Sequence, residues 1–355
     1  MRYAVLLSGG VDSSTALAEL ASAGHRVTAH YLKVWLEDEL DYLGDCPWEE
    51  DLEYARAVCT QFGVPLNVVP LQLEYYDRVV EYTLSELRAG RTPSPDIFCN
   101  QRIKFGAFLD HLAADSSDAA TRIATGHYAR IVDRGDHVEL ARSPDPVKDQ
   151  TYFLSHLSQE QLRRIEFPIG GFEKDEVRRR AHEWKLPNRD RKDSQGICFL
   201  GKIRYPEFIR HYLGERPGPI IEMETGDRLG EHRGFWFHTI GQRTGLGLAG
   251  GPWYVVKKDV DRNAILVSHS NAANDRARSD FTVRELTWTW KAPEKDRLLL
   301  KIRHGPQLIG ATISRLGDGA LAVSMDGPDR GVAPGQFAVF YDGETCLGSG
   351  KIQEE

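Results

Sequence analysis

The sequence predicts an α/β chain: a parallel-sheet N-terminal domain, a small central domain and a C-terminal antiparallel β-barrel. Three observations predict it. Strand-like apolar runs alternate with helical patterns through the first half, which implies a parallel sheet with helices on both faces. A glycine–serine string separates the first strand from the first helix. From Phe281 to Ile352 the chain is a series of short alternating runs, broken by turns such as Gly317-Asp318-Gly319 and Met325-Asp326-Gly327.

Taken in order, Tyr3–Leu7 reads as a strand and Ser13–Ala23 as a helix ended by Gly24. Arg26–Leu32 is a second strand, Glu49–Phe62 a helix stopped by Gly63, and Leu66–Val69 a third strand. Tyr75–Ala89 is a long helix stopped by Gly90. Lys104–Ala114 is another, followed by the strand Arg122–Thr125. From about Gln159 the pattern turns helical, with Lys174–Trp184 the clearest piece. After Pro217, short alternating runs take over at Gly234–Thr239, Trp253–Lys257 and Ala264–Ser268. The expected domains are residues 1–200, 201–279 and 280–355.

The chain has 355 residues, enough for two or three domains, with 41% hydrophobic and 27% charged residues. No apolar run approaches the roughly 20 residues of a membrane span, and no targeting segment is visible. Five cysteines without a C-x-x-C pair argue against a zinc ribbon, an iron–sulfur cluster or a thioredoxin-type site. They suit a reducing compartment, so a cytoplasmic protein is expected, or an organellar one if a transit peptide has been trimmed. Net charge is −7, but residues 161–216 carry 14 Lys and Arg against 9 Asp and Glu. A phosphate backbone responds to such local charge. A solvated helical face is the plainer explanation of the same run.

The string Ser8-Gly9-Gly10-Val11-Asp12-Ser13-Ser14 lies at the carboxyl end of the first strand, where α/β sheets bind ligands. Two glycines let the backbone turn and present its amides. The helix that follows offers unpaired N–H groups and a positive dipole end. Asp12 is out of place beside a bare anion and fits if Mg²⁺ bridges it to pyrophosphate. A glycine turn with a serine cap would be the bland alternative. The string resembles the SGGxDS signature of the PP-loop ATP pyrophosphatases (adenine nucleotide alpha hydrolase-like), which cleave ATP to AMP and pyrophosphate; it lacks the Lys of a Walker A loop. A second glycine-rich string, Gly245-Leu246-Gly247-Leu248-Ala249-Gly250, matches a dinucleotide fingerprint in spacing alone. A strand follows it rather than a helix, which removes that reading.

Cys99 lies in Gly90–Asn100 (GRTPSPDIFCN), a loop stiffened by two prolines, with Arg102, Lys104 and a helix start close by. Cys198 lies in Asp193–Gly201 (DSQGICFLG), after the basic string Arg189-Asp190-Arg191-Lys192. Local positive charge favours the thiolate at both. For Cys46, Cys59 and Cys346 a small buried core residue is the expectation. With ATGHYAR at Ala124–Arg130, KDQTYFL at Lys148–Leu154, HTIGQRTGLG at His238–Gly247, PWYVVKKD at Pro252–Asp259 and GQFAVFY at Gly335–Tyr341, the chain closely resembles the tRNA-specific 2-thiouridylases over nearly its whole length.

The resemblance implies a tRNA-uridine 2-sulfurtransferase acting on the wobble uridine, with ATP and Mg²⁺ as cofactors. Leu6, Leu7, Ser8, Gly9, Gly10, Val11, Asp12 and Ser13 would hold ATP, with Leu32 and Gly126 near its adenine nucleotide. Ser94, Pro95 and Asp96 would hold the target uracil. His127, Lys148, Asp149, Gln150, Arg303, His304 and Gln336 would touch tRNA. Cys99 would be the nucleophile, and Cys198 would carry a persulfide sulfur delivered by a partner protein, the pair ending as a disulfide. Asp96 would act as acid/base or beside Mg²⁺, or is a turn residue after proline. The family usually has Asn where Ser94 stands, and often Met where Leu32 stands. Trp35–Glu50 is more like the cyanobacterial and plastid branch. No protein-built metal centre is expected, and a monomer is. The competing readings are another adenylating enzyme of the same fold, which needs no cysteine pair, and a non-catalytic RNA-binding or sulfur-carrier module, which needs no intact phosphate loop.

Overall fold

In β1 (Arg2–Leu6) the residues Tyr3, Ala4, Val5 and Leu6 are all buried, as in a strand covered on both faces. Its side chains alternate between two cores, following the two-residue period of a strand. Tyr3 and Val5 join Leu17, Ala29 and Val58 on one face. Ala4 and Leu6 join Tyr75, Phe105 and Ile123 on the other. The computed structural model describes residues 1–34, 48–114, 121–193 and 204–353.

The first half also contains β2 (Arg26–Lys33), β3 (Leu66–Pro70), β4 (Arg122–Ala124), a hairpin of β5 (Ala129–Asp133) and β6 (Val138–Arg142), and β7 (Ile165–Glu166). A parallel sheet forms in the order β3-β2-β1-β4-β7. The chain moves outward in one direction from β1 to β3, then returns to β1's other edge at β4. Between the carboxyl ends of β1 and β4 lies the switch point, where a doubly wound sheet opens a ligand crevice.

Helices α1 (Val11–Ser22) and α2 (Trp48–Phe62) agree with the sequence reading to within two residues. Helix α3 spans residues 72–88 and is wound wider, in π form, at Tyr76–Val80. Helix α4 spans residues 95–114, with the same wider winding at Cys99–Ala107. Here the sequence reading is corrected: the helix begins at Pro95, not Lys104. Pro95 stands in the first helical turn, where a missing N–H costs nothing and a fixed φ helps. Cys99 therefore lies inside a helix rather than in a loop before one. Among the described residues, four further helices follow in this half and the passage out of it: α5 (Thr151–Leu154), α6 (Gln159–Arg163), α7 (Lys174–Glu183) and α8 (Tyr205–Leu213).

The central part holds β8 (Gly218–Glu222), β9 (Arg228–His232), β10 (Trp253–Asp259) and β11 (Ala264–His269) in a sheet ordered β10-β11-β8-β9, flanked by α9 (Ser270–Asp275). The expected run at Gly234–Thr239 is not a strand. Phe235–Phe237 forms one tight helical turn that buries Phe235 and Trp236. The 245–250 glycine string lies outside any helix and leads into β10, as its context predicts.

Six strands then close an antiparallel barrel: β12 (Arg278–Trp288), β13 (Arg297–Lys301), β14 (Ile309–Arg315), β15 (Leu321–Asp329), β16 (Phe337–Asp342) and β17 (Thr345–Ile352). Pairing of β12 with β17 completes the ring. Closure removes open edges, but the start of β17 still takes one more partner. Thr345 and Cys346 pair with Ala141 and Leu140 of β6, so a hairpin from the first half extends the barrel sheet. The sequence offered no signal for that pairing.

A buried ion pair reinforces this junction. Asp149 and Lys301 are both 0% exposed, with Lys301 Nζ 2.8 Å from Asp149 Oδ2. Arg142 Nε lies 3.2 Å from the same oxygen, and the Thr151 hydroxyl donates to Oδ1 at 2.8 Å. Burial works against the charged carboxylate, but the Lys301 and Thr151 hydrogen bonds hold it below the usual range. Removing one partner of such a pair strands the other charge in the interior. Lys301→Met is expected to cost about 3 kcal/mol, read as a lowered urea midpoint. Asp149→Asn in the same chain should restore much of the loss, and a single variant as stable as the parent would refute the account.

Candidate active site

The loop after β1 is shaped by contacts its own sequence does not reveal. Gly9 has φ +77°, and a Cβ there would sit 2.3 Å from the Asp51 carbonyl oxygen, so only glycine fits. The Gly9 carbonyl accepts hydrogen bonds from Asn188 Nδ2 at 2.7 Å and an Arg191 N–H at 3.2 Å. Asn188 also donates to Ser14 Oγ at 2.8 Å. Because a peptide is planar and trans, fixing that carbonyl turns the following amide the opposite way. Ser13 Oγ donates to the Gly10 carbonyl at 3.1 Å and accepts from Ser8 N at 3.2 Å. Among the described residues no side chain caps α1, which leaves its first amides without a side-chain acceptor at the positive end of the helix dipole.

The other wall is the end of β4. A Cβ on Gly126 would lie 2.6 Å from both Asp12 C and Ser13 N, so two backbones touch directly at the switch point. Leu6, Leu7 and Val11 are buried beneath the loop, and Leu32 is half-buried at the end of β2, paired with Val69. Among the described residues, the ATP positions implied by the resemblance thus gather on one crevice. His127 packs edge-on against Phe167 and at a tilt against Phe105, with Nδ1 2.8 Å from Thr125 Oγ1. Burial, aided by Lys104, holds its pKa well below the usual histidine value.

Asp12 sits at the loop's mouth. Its Oδ1 accepts from the Tyr128 hydroxyl at 2.9 Å and from Lys174 Nζ at 2.7 Å. Lys174 also lies 2.8 Å from Asp193 Oδ1, and Lys148 Nζ lies 2.6 Å from Asp193 Oδ2. Arg178 is a third partner of Asp193. Burial opposes the Asp193 charge, but hydrogen bonds from Lys148 and Lys174 outweigh it and hold the carboxyl well below its usual range. Sequence reasoning missed Lys174, Asn188 and Arg191 at the loop. Asn188 and the basic string are visible in the sequence, but nothing there shows that they fold back on Gly9.

A second site lies at the other end of α4. Ser94, Pro95, Asp96, Arg303, His304 and Gln336 line one cavity of about 440 Å³. The loop before α4 is pinned to the barrel, with Thr92 N donating to the Pro334 carbonyl at 2.8 Å. Arg91 and Lys351 both bind Glu86. Aromatic residues unforeseen from sequence share the wall: Tyr152, Phe153, Tyr205, Trp236 and Phe237. His304 stacks on Phe153, with ring centres 4.8 Å apart. Flat apolar walls with a few polar groups suit a planar heterocycle.

Residues 148–150 are engaged within the protein. Lys148 binds Asp193, and Gln150 exchanges two hydrogen bonds with Tyr128, each 2.9 Å. The Asp149 side chain is enclosed in the ion pair with Lys301. Cys99 is 3% exposed, one turn beyond Asp96 on α4. Cys59 and Cys346 are buried core residues, as expected. Burial pushes the Cys59 thiol up to about 11 and the Cys346 thiol higher still. Cys198 and Cys46 lie outside the described residues, as does most of the Trp35–Glu50 segment. The described neighbours of the Cys198 segment are informative: Asp193 is fixed beside the phosphate loop, and Tyr205 lines the cavity.

The fold and crevice define a PP-loop-type α/β domain joined to a mixed central sheet and a closed antiparallel barrel. Residues 1–202 match a family described as a tRNA methyl transferase HUP domain, residues 206–269 a tRNA methyl transferase PRC-barrel domain, and residues 278–352 an aminomethyltransferase beta-barrel domain. Over its whole length the chain is 46% identical to a tRNA-specific 2-thiouridylase from Parabacteroides distasonis, covering 99% of that protein. It is 44% identical to one from Bacteroides thetaiotaomicron, covering 99% of each. The chain belongs to the tRNA-specific 2-thiouridylase family, whose members are tRNA sulfurtransferases. Those full-length relatives are named for thiolation, not for the methyl transfer in the domain descriptions. A solved 4-thiouridine synthetase–RNA complex with bound ATP aligns at TM-score 0.33 and 17% identity, over 59% of this chain and 48% of that one.

Proposed function

We propose that this enzyme replaces the C2 oxygen of the wobble uridine of tRNA with sulfur, using ATP to activate that oxygen. The observation that carries the reading is the placement of Asp193 and Tyr205. Asp193 lies at the mouth of the phosphate loop and Tyr205 lines the cavity, and Cys198 falls between them in the sequence. Helix α4 joins the same two places, with Asp96 at the cavity, Cys99 next, and Phe105 under the switch-point His127. Residues 1–200 do the adenylation, while residues 201–279 and 280–355 help grip the RNA.

The uracil enters the cavity, where Phe153 and Phe237 can stack on it and Ser94 and Asp96 can bond its edge. An anticodon-loop base is already unpaired, so flipping it costs little. Its C2 oxygen attacks the α-phosphate of ATP, and pyrophosphate leaves against the loop amides and the α1 dipole. Among the described residues no group of three His, Cys, Asp or Glu could hold a metal. Asp12 would hold a Mg²⁺, which would neutralise charge on the leaving group. The terminal sulfur of a Cys198 persulfide, loaded by a partner protein, then bonds to C2, and the C2–O bond breaks to release AMP. Cys99 attacks the Cys198 sulfur and breaks the persulfide S–S bond, either after that transfer, which frees the 2-thiouridine, or before it, which frees hydrosulfide to bond C2 in the persulfide's place. A disulfide remains and needs a reductant for the next cycle.

The test incubates unmodified glutamine, lysine or glutamate tRNA with the enzyme, Mg-ATP and a persulfide-donating sulfurtransferase, followed by nucleoside mass analysis. A mass gain of one oxygen-to-sulfur exchange at the wobble uridine, lost without ATP, is expected. ATP cleavage to AMP on some other substrate, with no exchange in tRNA, would point instead to a different adenylating enzyme of the same fold.

A further inference from the structure

The phosphate loop carries no cation of its own. Ser8-Gly9-Gly10-Val11-Asp12-Ser13-Ser14 contains one charged side chain, and it is negative. A polyphosphate held there needs positive charge from elsewhere. Lys174 is placed to supply it. It opens α7, is 12% exposed, and its ammonium touches Asp12 of the loop and Asp193 together. Arg178, one turn further on the same helix face, and Lys148 from another segment converge on the same Asp193. Three cations thus meet Asp12 and Asp193 at the loop's mouth, with the Asp145 carboxylate beside them on the backbone amides of Lys148 and Lys174.

We propose that Lys174, supported by Lys148 and Arg178, is the site for the pyrophosphate end of ATP, and that Asp193 fills this site when nucleotide is absent. A carboxylate offers two oxygens to this cation set, and a pyrophosphate group offers more oxygens and more charge. The incoming phosphates therefore displace Asp193 from Lys174, while Lys174 keeps Asp12 from repelling them. A bare structural ion network explains the bonds among Asp193, Lys148 and Arg178. It does not explain why one lysine bridges that network to the carboxylate of the phosphate loop.

The inference rests on the nucleotide reading above, and the experiment separates the two. Calorimetric titrations of the full chain use MgATP, Mg-pyrophosphate and AMP as probes. Lys174→Met is expected to weaken MgATP and Mg-pyrophosphate at least tenfold and to leave AMP within about threefold. Lys174→Arg should recover most of the loss. Asp193→Asn, which removes the internal anion, should tighten MgATP at least threefold. Unchanged MgATP affinity in Lys174→Met, or equal loss of MgATP and AMP, overturns the assignment. No tightening in Asp193→Asn overturns the place-holding part. A parent enzyme that binds none of the probes overturns the nucleotide reading, and this inference with it.

Discussion

Cys99→Ser is expected to abolish sulfur exchange, with product falling at least about a thousandfold, while tRNA-dependent release of pyrophosphate continues for a first turnover. Serine is close to cysteine in size, so the buried position inside α4 tolerates it with little loss of stability. In the proposed mechanism, what disappears is the sulfur that resolves the persulfide, because a neutral hydroxyl is a far weaker nucleophile than a thiolate. In that mechanism adenylation precedes the step and draws on the loop at β1, not on Cys99. The comparison variants are Cys59→Ser and Cys346→Ser. Burial raises both thiols well above neutral pH, so neither is a thiolate in working conditions. Both should keep sulfur transfer within about threefold in any preparation that remains folded. Pyrophosphate release and 2-thiouridine formation, measured on one quenched time course, check this. Full thiolation by Cys99→Ser would remove Cys99 from the chemistry, and loss of both products would make its part structural.

The elements legible in the sequence are those whose cause is local. The apolar run of β1, the two glycines after it and the helix that follows sit together in the chain, so the loop and its position in the sheet could be read directly. The turn-punctuated strands of the barrel are legible for the same reason. Pro95 shows the limit of local reading. A proline after Pro93 looks like a loop stiffener, and only the structure shows it starting a helix, which moves Cys99 from a loop into a helix. The pairing of β6 with β17 joins residues some two hundred positions apart, and no periodicity encodes it. Asp149 was read from its place in a motif, but its partner Lys301 lies on a barrel strand. Whether a charged residue faces solvent or an opposite charge is decided by that distant strand. Lys174 was missed for the same reason: on its own helix it is one cation among several, and its meaning comes from Asp12.

Gly126→Ala is expected to cost at least about a hundredfold in MgATP affinity and about 1–3 kcal/mol in stability. The added methyl group would arrive 2.6 Å from Asp12 C and Ser13 N, inside any normal contact distance. Those atoms are backbone, so no flexible side chain can move aside. Either β4 must retreat from β1 or the first turn of α1 must shift. The second response moves the amides that face the crevice, and the Asp12 carboxylate with them. Gly171→Ala is the matched control, because a Cβ there meets nothing within 4 Å. Calorimetric titration with MgATP, beside thermal unfolding of both variants, reads the two effects separately. Loss of affinity with a modest fall in Tm would mean that the two backbones must touch for the nucleotide to be held. Unchanged affinity and Tm would show that the crevice can open by an ångström without consequence, and the nucleotide would then have to be held mainly by side chains.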